Sequence, residues 1–356
     1  MQLRFQRIQL EKRYPLRISR GVIRGTINLF VFVDHDGVTG VGEMAPGALT
    51  GCESAEEGER ILSAFAGRLV PGMSPHDAYA AGRSAGIPPC VLGALDMALW
   101  DLLAKRLGSP LHAILGLARR AVPTSVTIGI NPPEVTRERV PEILARTGAR
   151  YLKIKLGNPE GIEADREHFL AAREAAGDRG VGLRVDANGG WSLDDARIMM
   201  RWLAERGVAY VEQPLHHDAL DGLPFLFRGR PLPIFLDESC RFAGDIPRWA
   251  AHVDGVNLKL MKCGGVTEAL RIVAVARAFG LQTMIGCMGE SQVAIAAGAS
   301  LGALFDHIDL DSHLNLVNDP TTGTELVSGV VLPVDRPGHG GAVPPEGRGT
   351  RADPRC

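Results

Sequence analysis

Beyond Val122 the apolar positions fall into short β-branched or aliphatic runs separated by stretches of helical periodicity, a strand–helix–strand rhythm that predicts a parallel sheet with crossover helices. Eight strands are predicted: Pro123 to Ile130, Tyr151 to Gly157, Gly182 to Asp186, Tyr210 to Glu212, Ile234 to Asp237, Val256 to Leu260, Gln282 to Cys287 and His307 to Asp311. Eight such repeats suit a β/α barrel, which takes about 250 residues. The first part of the chain reads differently. Gln2 to Leu10 and Thr26 to Val33 alternate as strands, with Leu16 to Thr26 as a loop between them. Asp34-His-Asp-Gly37 is turn chemistry, and Val38 to Gly42 returns as a hairpin partner. Helical spacing follows in Ser54 to Leu69, which opens on a serine N-cap and an acidic first turn, and in Val91 to Leu107. These patterns divide the chain into an α+β domain over 1–118, an α/β barrel over 119–315 and a returning segment over 316–335. A tail over 336–356, rich in Gly, Pro and Arg, is expected to be disordered.

Several polar residues interrupt the apolar runs. Lys153 and Lys155 alternate inside Tyr151-Leu-Lys-Ile-Lys-Leu-Gly157, so a period of two puts both ammonium groups on one face of a strand. Asp186, Glu212 and Asp237 each end a short apolar run, and Lys259 lies in Val256-Asn-Leu-Lys-Leu-Met261. Counted from Lys155, the gaps are 31, 26, 25 and 22 residues. Each gap is about one strand plus one helix, so the five positions recur at successive strand ends, where a barrel gathers its chemistry at one mouth. Three carboxylates with no His or Cys at matching spacing form a hard oxygen site, suited to Mg²⁺ with Mn²⁺ as substitute and ill suited to zinc. A divalent ion beside lysines lowers their pKa toward neutrality and makes a general base available near pH 7. Asp309-Leu-Asp311 adds two carboxylates on one face of the last strand, which calls for a cationic group on the substrate.

Composition narrows the field modestly. With 39 basic and 41 acidic residues in 356, the formal charge of −2 gives no pull toward nucleic acid or anionic membrane. Six cysteines (52, 90, 240, 263, 287 and 356) lack paired metal spacing and read as reduced thiols. The first residues carry no apolar signal core, and no uncharged stretch of about 18 residues occurs. The expectation is a cytoplasmic protein acting on a small molecule, with a homo-oligomer left open.

The ordered set Lys-Ile-Lys155, Asp186-Ala-Asn188, Glu212-Gln-Pro214, Asp237-Glu-Ser239 and Asn257-Leu-Lys-Leu-Met-Lys-Cys-Gly-Gly265 resembles the muconate-lactonizing-enzyme subgroup of the enolase superfamily. The resemblance covers nearly the whole chain. It implies an α+β capping domain and a modified TIM barrel, (β/α)7β. It also implies one Mg²⁺ on Asp186, Glu212 and Asp237, with Lys155 facing Lys259 across the substrate α-carbon and Lys153 as the auxiliary cation. Gly189 departs from the subgroup, which often carries Gln after Asp-Ala-Asn. Within the subgroup, Asp309-Leu-Asp311 resembles the Asp-x-Asp motif of dipeptide epimerases, whose aspartates hold the free ammonium of the substrate. By the same resemblance Thr127 contacts substrate, and Cys287 and Gly289 line its side-chain pocket. An arginine of the capping loop, with Arg24 the candidate among Arg17, Arg20 and Arg24, receives a side-chain carboxylate in the L-Ala-D/L-Glu branch. Gly289 removes bulk from the pocket, which would admit a side chain larger than glutamate and leaves apolar residues open, so the substrate is L-Ala-D/L-Glu or another L-Xaa-L-Xaa dipeptide.

The implied reaction is a two-base 1,1-proton transfer at the C-terminal residue of a dipeptide, with Lys259 serving the L isomer and Lys155 the D isomer. Alternatives in the superfamily are o-succinylbenzoate synthase, N-succinylamino acid racemase and muconate cycloisomerase, whose substrates carry no ammonium for Asp309 and Asp311. His216-His217 reads as a surface pair, His307 as packing, and Glu290 as a polar support or helix-start acid.

Overall fold

The computed structural model describes residues 1–317 and 319–344. Its N-terminal part is a three-stranded antiparallel sheet of β1 (Gln2–Ile18), β2 (Gly21–His35) and β3 (Val38–Met44), with β2 central. Three helices follow: α1 (Ala55–Phe65), α2 (Pro75–Ser84) and α3 (Pro89–Arg106). Ser54 caps α1 by accepting a hydrogen bond from the Glu57 amide. The α3 helix is apolar on nearly every side and buried from Pro89 to Leu102, because it fills the layer between this sheet and the barrel. The contact with β3 is close. A Cβ on Gly40 or Gly42 would lie 2.0 Å from the carbonyl oxygen of Ala98 or Ala94, so only glycine lets strand and helix meet there.

The sheet differs from the sequence pattern in one respect. The segment from Leu16 to Thr26, predicted as a loop, belongs to a long β1–β2 hairpin that turns at Ser19-Arg20. Its outer half has no apolar alternation to reveal it and is held by backbone pairing. Main-chain bonds to the barrel side add support, with Ile130 N donating to Arg17 O at 2.8 Å. A register shift between Glu11 and Leu16, around Pro15, bends the hairpin at that point.

Eight parallel strands follow in sequence order: β4 (Ser125–Ile128), β5 (Tyr151–Lys155), β6 (Gly182–Asp186), β7 (Val211–Glu212), β8 (Ile234–Leu236), β9 (Gly255–Lys259), β10 (Gln282–Gly286) and β11 (His307–Asp309). A bridge between Thr124 and Ile308 brings the two edges together. Each pair of strands is joined by a helical crossover, giving the (β/α)7β modified TIM barrel with an α+β capping domain. The register aligns Lys155 with Asp186 and Asp186 with Glu212, and likewise Lys259 with Gly286 and Gly286 with Asp309. Asp311 falls beyond β11, at the start of a short 3₁₀ turn.

A two-stranded ribbon, β12 (Thr324–Val327) and β13 (Val330–Pro333), then leads back to the capping domain. Residues 336–344, expected to be disordered, are ordered. Leu111 N donates to Gly338 O at 2.7 Å, and the wholly buried His339 takes its amide to Asp101 Oδ1 at 2.9 Å and its Nε2 to Val41 O at 2.7 Å. Here paired polar groups do what apolar periodicity does elsewhere. The rest of the predicted tail, 345–356, lies outside the described residues. Among the described residues no helix is long and apolar enough to cross a membrane.

Candidate active site

Strand alternation and barrel register deliver Lys153, Lys155, Asp186, Glu212, Asp237 and Lys259 to the C-terminal ends of five neighbouring strands. All are at most 7% exposed. Lys155 Nζ lies 2.5 Å from Asp186 Oδ2 and Lys259 Nζ 2.7 Å from Asp237 Oδ2. Lys153 Nζ lies 3.0 Å from Glu212 Oε2, 3.9 Å from Asp186 Oδ2 and in contact with Asp309 Oδ2. Such packing moves the titrations. Burial, then Asp186, pushes Glu212 up to about 7 against the pull of Lys153. For Asp237 burial acts upward, but Lys259 and Lys262 overcome it and hold the carboxyl well below its usual range. Burial likewise works against the Lys153 and Lys259 ammonium groups, and the carboxylates around them win, holding both above the ordinary lysine value. The carboxylates around Lys153 and Lys259 therefore act opposite to the lowering expected from a neighbouring divalent ion.

Asp186, Glu212 and Asp237 each offer an oxygen, and the three lie within 4.8 Å of one another in full burial. Trans ligands of a Mg²⁺ ion at about 2.1 Å are about 4.2 Å apart, so this all-oxygen set fits a hard divalent cation. Neighbouring groups orient the carboxylates. Asn188 donates its amide to Asp186 Oδ1 (2.7 Å) and its side chain to Oδ2 (3.1 Å), and Asn257 Nδ2 donates to Glu212 Oε1 (2.7 Å). Gln213 Oε1 accepts from Asp237 N at 3.0 Å. Asn188 and Gln213 both take left-handed backbone conformations, φ 45° and 38°, a strain of order 1 kcal/mol each that these hydrogen bonds hold in place.

Beside this cluster, Asp309 accepts from Ser125 Oγ (2.7 Å) as well as pairing with Lys153. Asp311 Oδ2 accepts from Thr127 N (2.6 Å), and its Oδ1 lies 3.7 Å from Cys287 Sγ. Asp311 makes no side-chain cap on the turn it begins. Burial and the adjacent Asp309 push its carboxyl up to about 6. Thr127, Lys155, Lys259, Cys287, Asp309 and Asp311 all line one cleft.

A cavity of about 340 Å³ continues this cleft under the β1–β2 hairpin, walled by Leu16, Ile18, Val22, Ile23, Leu49 and Met288. Cys287 and Gly289 line it too, as the pattern predicts, but the glycine works differently. Its missing Cβ faces Thr26, which would then lie 3.2 Å away, so the small residue admits the capping strand and does not enlarge the pocket. Arg24 is not brought to the cleft and projects from the exposed outer part of the hairpin. Arg20 does line it, with its guanidinium engaged by Glu238 (2.6 Å) and the Asn188 carbonyl (2.7 Å). His216 and His217 stack on each other in a loop that leaves them partly exposed, away from the cluster.

Sequence reasoning passed over Lys262, Asn257, Gln213 and Lys12. Lys262 Nζ lies 2.5 Å from Asp237 Oδ1 while also bonding the Asp237 carbonyl. Its signal was present in Lys-Leu-Met-Lys, where a short helix after β9 turns the second lysine back under the first. Lys12 lines both parts of the cleft, within reach of the Asp311 charge.

Residues 3–116 match the mandelate racemase / muconate lactonizing enzyme N-terminal domain, and residues 135–347 the enolase C-terminal domain-like family. A hydrophobic dipeptide epimerase of Roseobacter litoralis is 62% identical over 345 residues, covering 96% of this chain and 99% of the relative. The crystal structure of a dipeptide epimerase from Enterococcus faecalis with Mg and L-Leu-L-Tyr superposes with a TM-score of 0.88 at 32% identity, over 96% of this chain and 99% of the other. That of a dipeptide epimerase from Methylococcus capsulatus with Mg and L-Arg-D-Lys gives 0.86 at 34%, with the same coverage. The chain thus belongs to the mandelate racemase / muconate lactonizing enzyme family of the enolase superfamily, in the company of dipeptide epimerases, and is an isomerase.

Proposed function

We propose that this isomerase is a Mg²⁺-dependent epimerase of dipeptides with an apolar C-terminal residue. The reading rests above all on one juxtaposition: the lysine–carboxylate cluster and Asp311 open into a single cleft whose far wall is aliphatic. The relatives from R. litoralis, named for hydrophobic dipeptides, and E. faecalis, crystallised with L-Leu-L-Tyr, support it.

Asp186, Glu212 and Asp237 would hold the ion. When bound there, it supplies an electrophile for the substrate carboxylate and takes up charge as the α-proton leaves. Lys259 removes that proton from the L isomer, and Lys155 returns one to the opposite face. Lys153, at the centre of three carboxylates, keeps a positive charge beside the developing anion. Asp311, with Asp309 behind it, receives the free ammonium and fixes the dipeptide's direction. The leucine, isoleucine and valine side chains of the hairpin enclose the C-terminal side chain, while Arg20 is neutralised by Glu238. N-succinyl amino acids and cycloisomerase substrates have no free α-ammonium for Asp311 to receive.

Mass-spectrometric uptake of α-deuterium from D₂O, with Mg²⁺ and after chelation by EDTA, tests the proposal. L-Leu-L-Tyr and other apolar L,L-dipeptides should exchange with Mg²⁺, L-Ala-L-Glu more slowly, and N-acetylated or N-succinylated amino acids not at all. Exchange confined to the N-acyl compounds would overturn it.

A further inference from the structure

The sequence left Glu43 and Asn28 without a role, and neither touches the cleft. Both are wholly buried in the capping domain, Asn28 on β2 and Glu43 on β3. Four of the hydrogen bonds they make cross to one barrel segment. Glu43 Oε1 accepts from the Ser291 amide at 2.8 Å, and Oε2 accepts from Ser291 Oγ at 2.6 Å and the Ala294 amide at 3.0 Å. Asn28 Nδ2 donates to Glu43 Oε1 at 2.6 Å and to the Gly289 carbonyl at 2.7 Å, while Asn28 Oδ1 accepts from Thr26 Oγ1 at 2.5 Å. Every donor and acceptor of the pair is used. A carboxylate is required at position 43, because an amide could not accept from all four donors.

The segment so held is Cys287-Met-Gly-Glu290 and the start of the helix Gln292–Ala299, capped from its own side by Ser291. Glu43 reinforces that cap from the other domain, where a negative charge suits a helix N-terminus. From below, Glu290 ties the segment to the barrel by donating its amide to Ser312 Oγ at 2.8 Å, and its Oε1 accepts from Met288 N at 2.7 Å. Cys287, Met288 and Gly289 of this segment line the cavity under the hairpin, with Gly289 packed against Thr26 of β2.

We infer that Glu43 and Asn28 are positioning residues for substrate selection: an interdomain strap that sets the distance between the Met288-Gly289 wall and the hairpin. The inference rests on the proposed dipeptide reading for its substrate consequence, though not for its structural one. Glu43→Gln should raise the backbone amide exchange of residues 288–294 at least about tenfold, as expected on losing charge-assisted buried bonds. Strands β5 to β8 should exchange as before. With L-Leu-L-Tyr, KM should rise about tenfold with kcat held within about threefold, and preference over L-Ala-L-Ala should fall, since the slackened wall loses contacts made equally in ground and transition states. Asn28→Ala, which leaves the Glu43–Ser291–Ala294 bonds in place, should show the same pattern more weakly and serves if Glu43→Gln does not fold.

Unchanged exchange at 288–294 in a folded variant overturns the strap whatever the substrate. Accelerated exchange with an unchanged KM and preference overturns its part in selection. If the parent enzyme exchanges no dipeptide α-proton, the functional reading fails, and the amide measurement still decides the structural claim.

Discussion

At the barrel mouth Lys153, Lys155 and Lys259 are nearly inaccessible and each contacts a carboxylate, whereas across the cleft Val22 and Ile23 are 51% and 36% exposed and rest on a two-stranded hairpin. The first region is fixed by charge in a setting that excludes water, where moving one group leaves another unpaired. The second presents area without direction, and aliphatic contact tolerates changes of shape. An enzyme built this way holds its proton chemistry constant and lets the substrate side chain vary. Relatives that carry dipeptides as different as L-Leu-L-Tyr and L-Arg-D-Lys on the same fold agree with that division.

The division predicts a hierarchy of effects. Replacing either proposed base, Lys155→Ala or Lys259→Ala, should cut epimerisation by about 10³-fold or more, the scale of a lost general acid–base partner. Polarimetry or chiral chromatography would follow turnover, and a variant working at the parental rate would refute the pair. Asp311→Asn leaves the shape and removes the charge proposed to face the substrate ammonium, so kcat/KM for free dipeptides should fall about 10²-fold. Steady-state kinetics at fixed Mg²⁺ would show it, and a change under threefold would place the ammonium elsewhere. Val22→Asp with Ile23→Asp should lower kcat/KM about tenfold for bulky apolar C-terminal residues and much less for L-Ala-L-Ala, following the apolar area involved. Equal losses on both substrates would contradict the specificity of the wall.

A separate effect, on stability and not on turnover, belongs to the seam between the capping domain and the barrel. Asp96 of α3 accepts from the Thr267 amide (3.0 Å) and hydroxyl (2.5 Å), and burial pushes its carboxyl up to about 7. The unfolded chain ionises this group near 3.8, so between about pH 4 and 7 the folded state binds the extra proton. Its contribution to stability therefore falls as pH rises, by up to ~1.4 kcal/mol per pH unit, and levels off above about 7. Urea midpoints from pH 5 to 8 should slope less in Asp96→Asn than in the parent; parallel slopes would show that Asp96 is ionised throughout.

Much of the mouth was readable in advance, because a parallel barrel converts sequence spacing into position. Five residues one repeat apart in Lys155, Asp186, Glu212, Asp237 and Lys259 had to converge once the strands were counted. The wall was harder to read. Arg24 and Arg20 lie four residues apart on a hairpin whose outer strands have no apolar alternation, so nothing local says that Arg20 turns toward Glu238 and Arg24 to solvent. Gly289 looked like open space, and its neighbour Thr26 comes from 263 residues earlier in the chain. Lys262 was half visible in its motif, yet its grip on Asp237 depends on a turn after β9. What spacing along one repeating unit determines can be inferred, and what two separate domains determine together cannot.

His339, buried against Val41 and Asp101, bears on how the molecule is made. Its partners leave the ribosome more than two hundred residues before it does, with the entire barrel emerging between. Until residue 339 emerges, the polar interior of the cap lacks its His339 bonds to Val41 and Asp101. Birth order here runs from an unfinished lid, through a barrel, to the few residues that lock the lid shut.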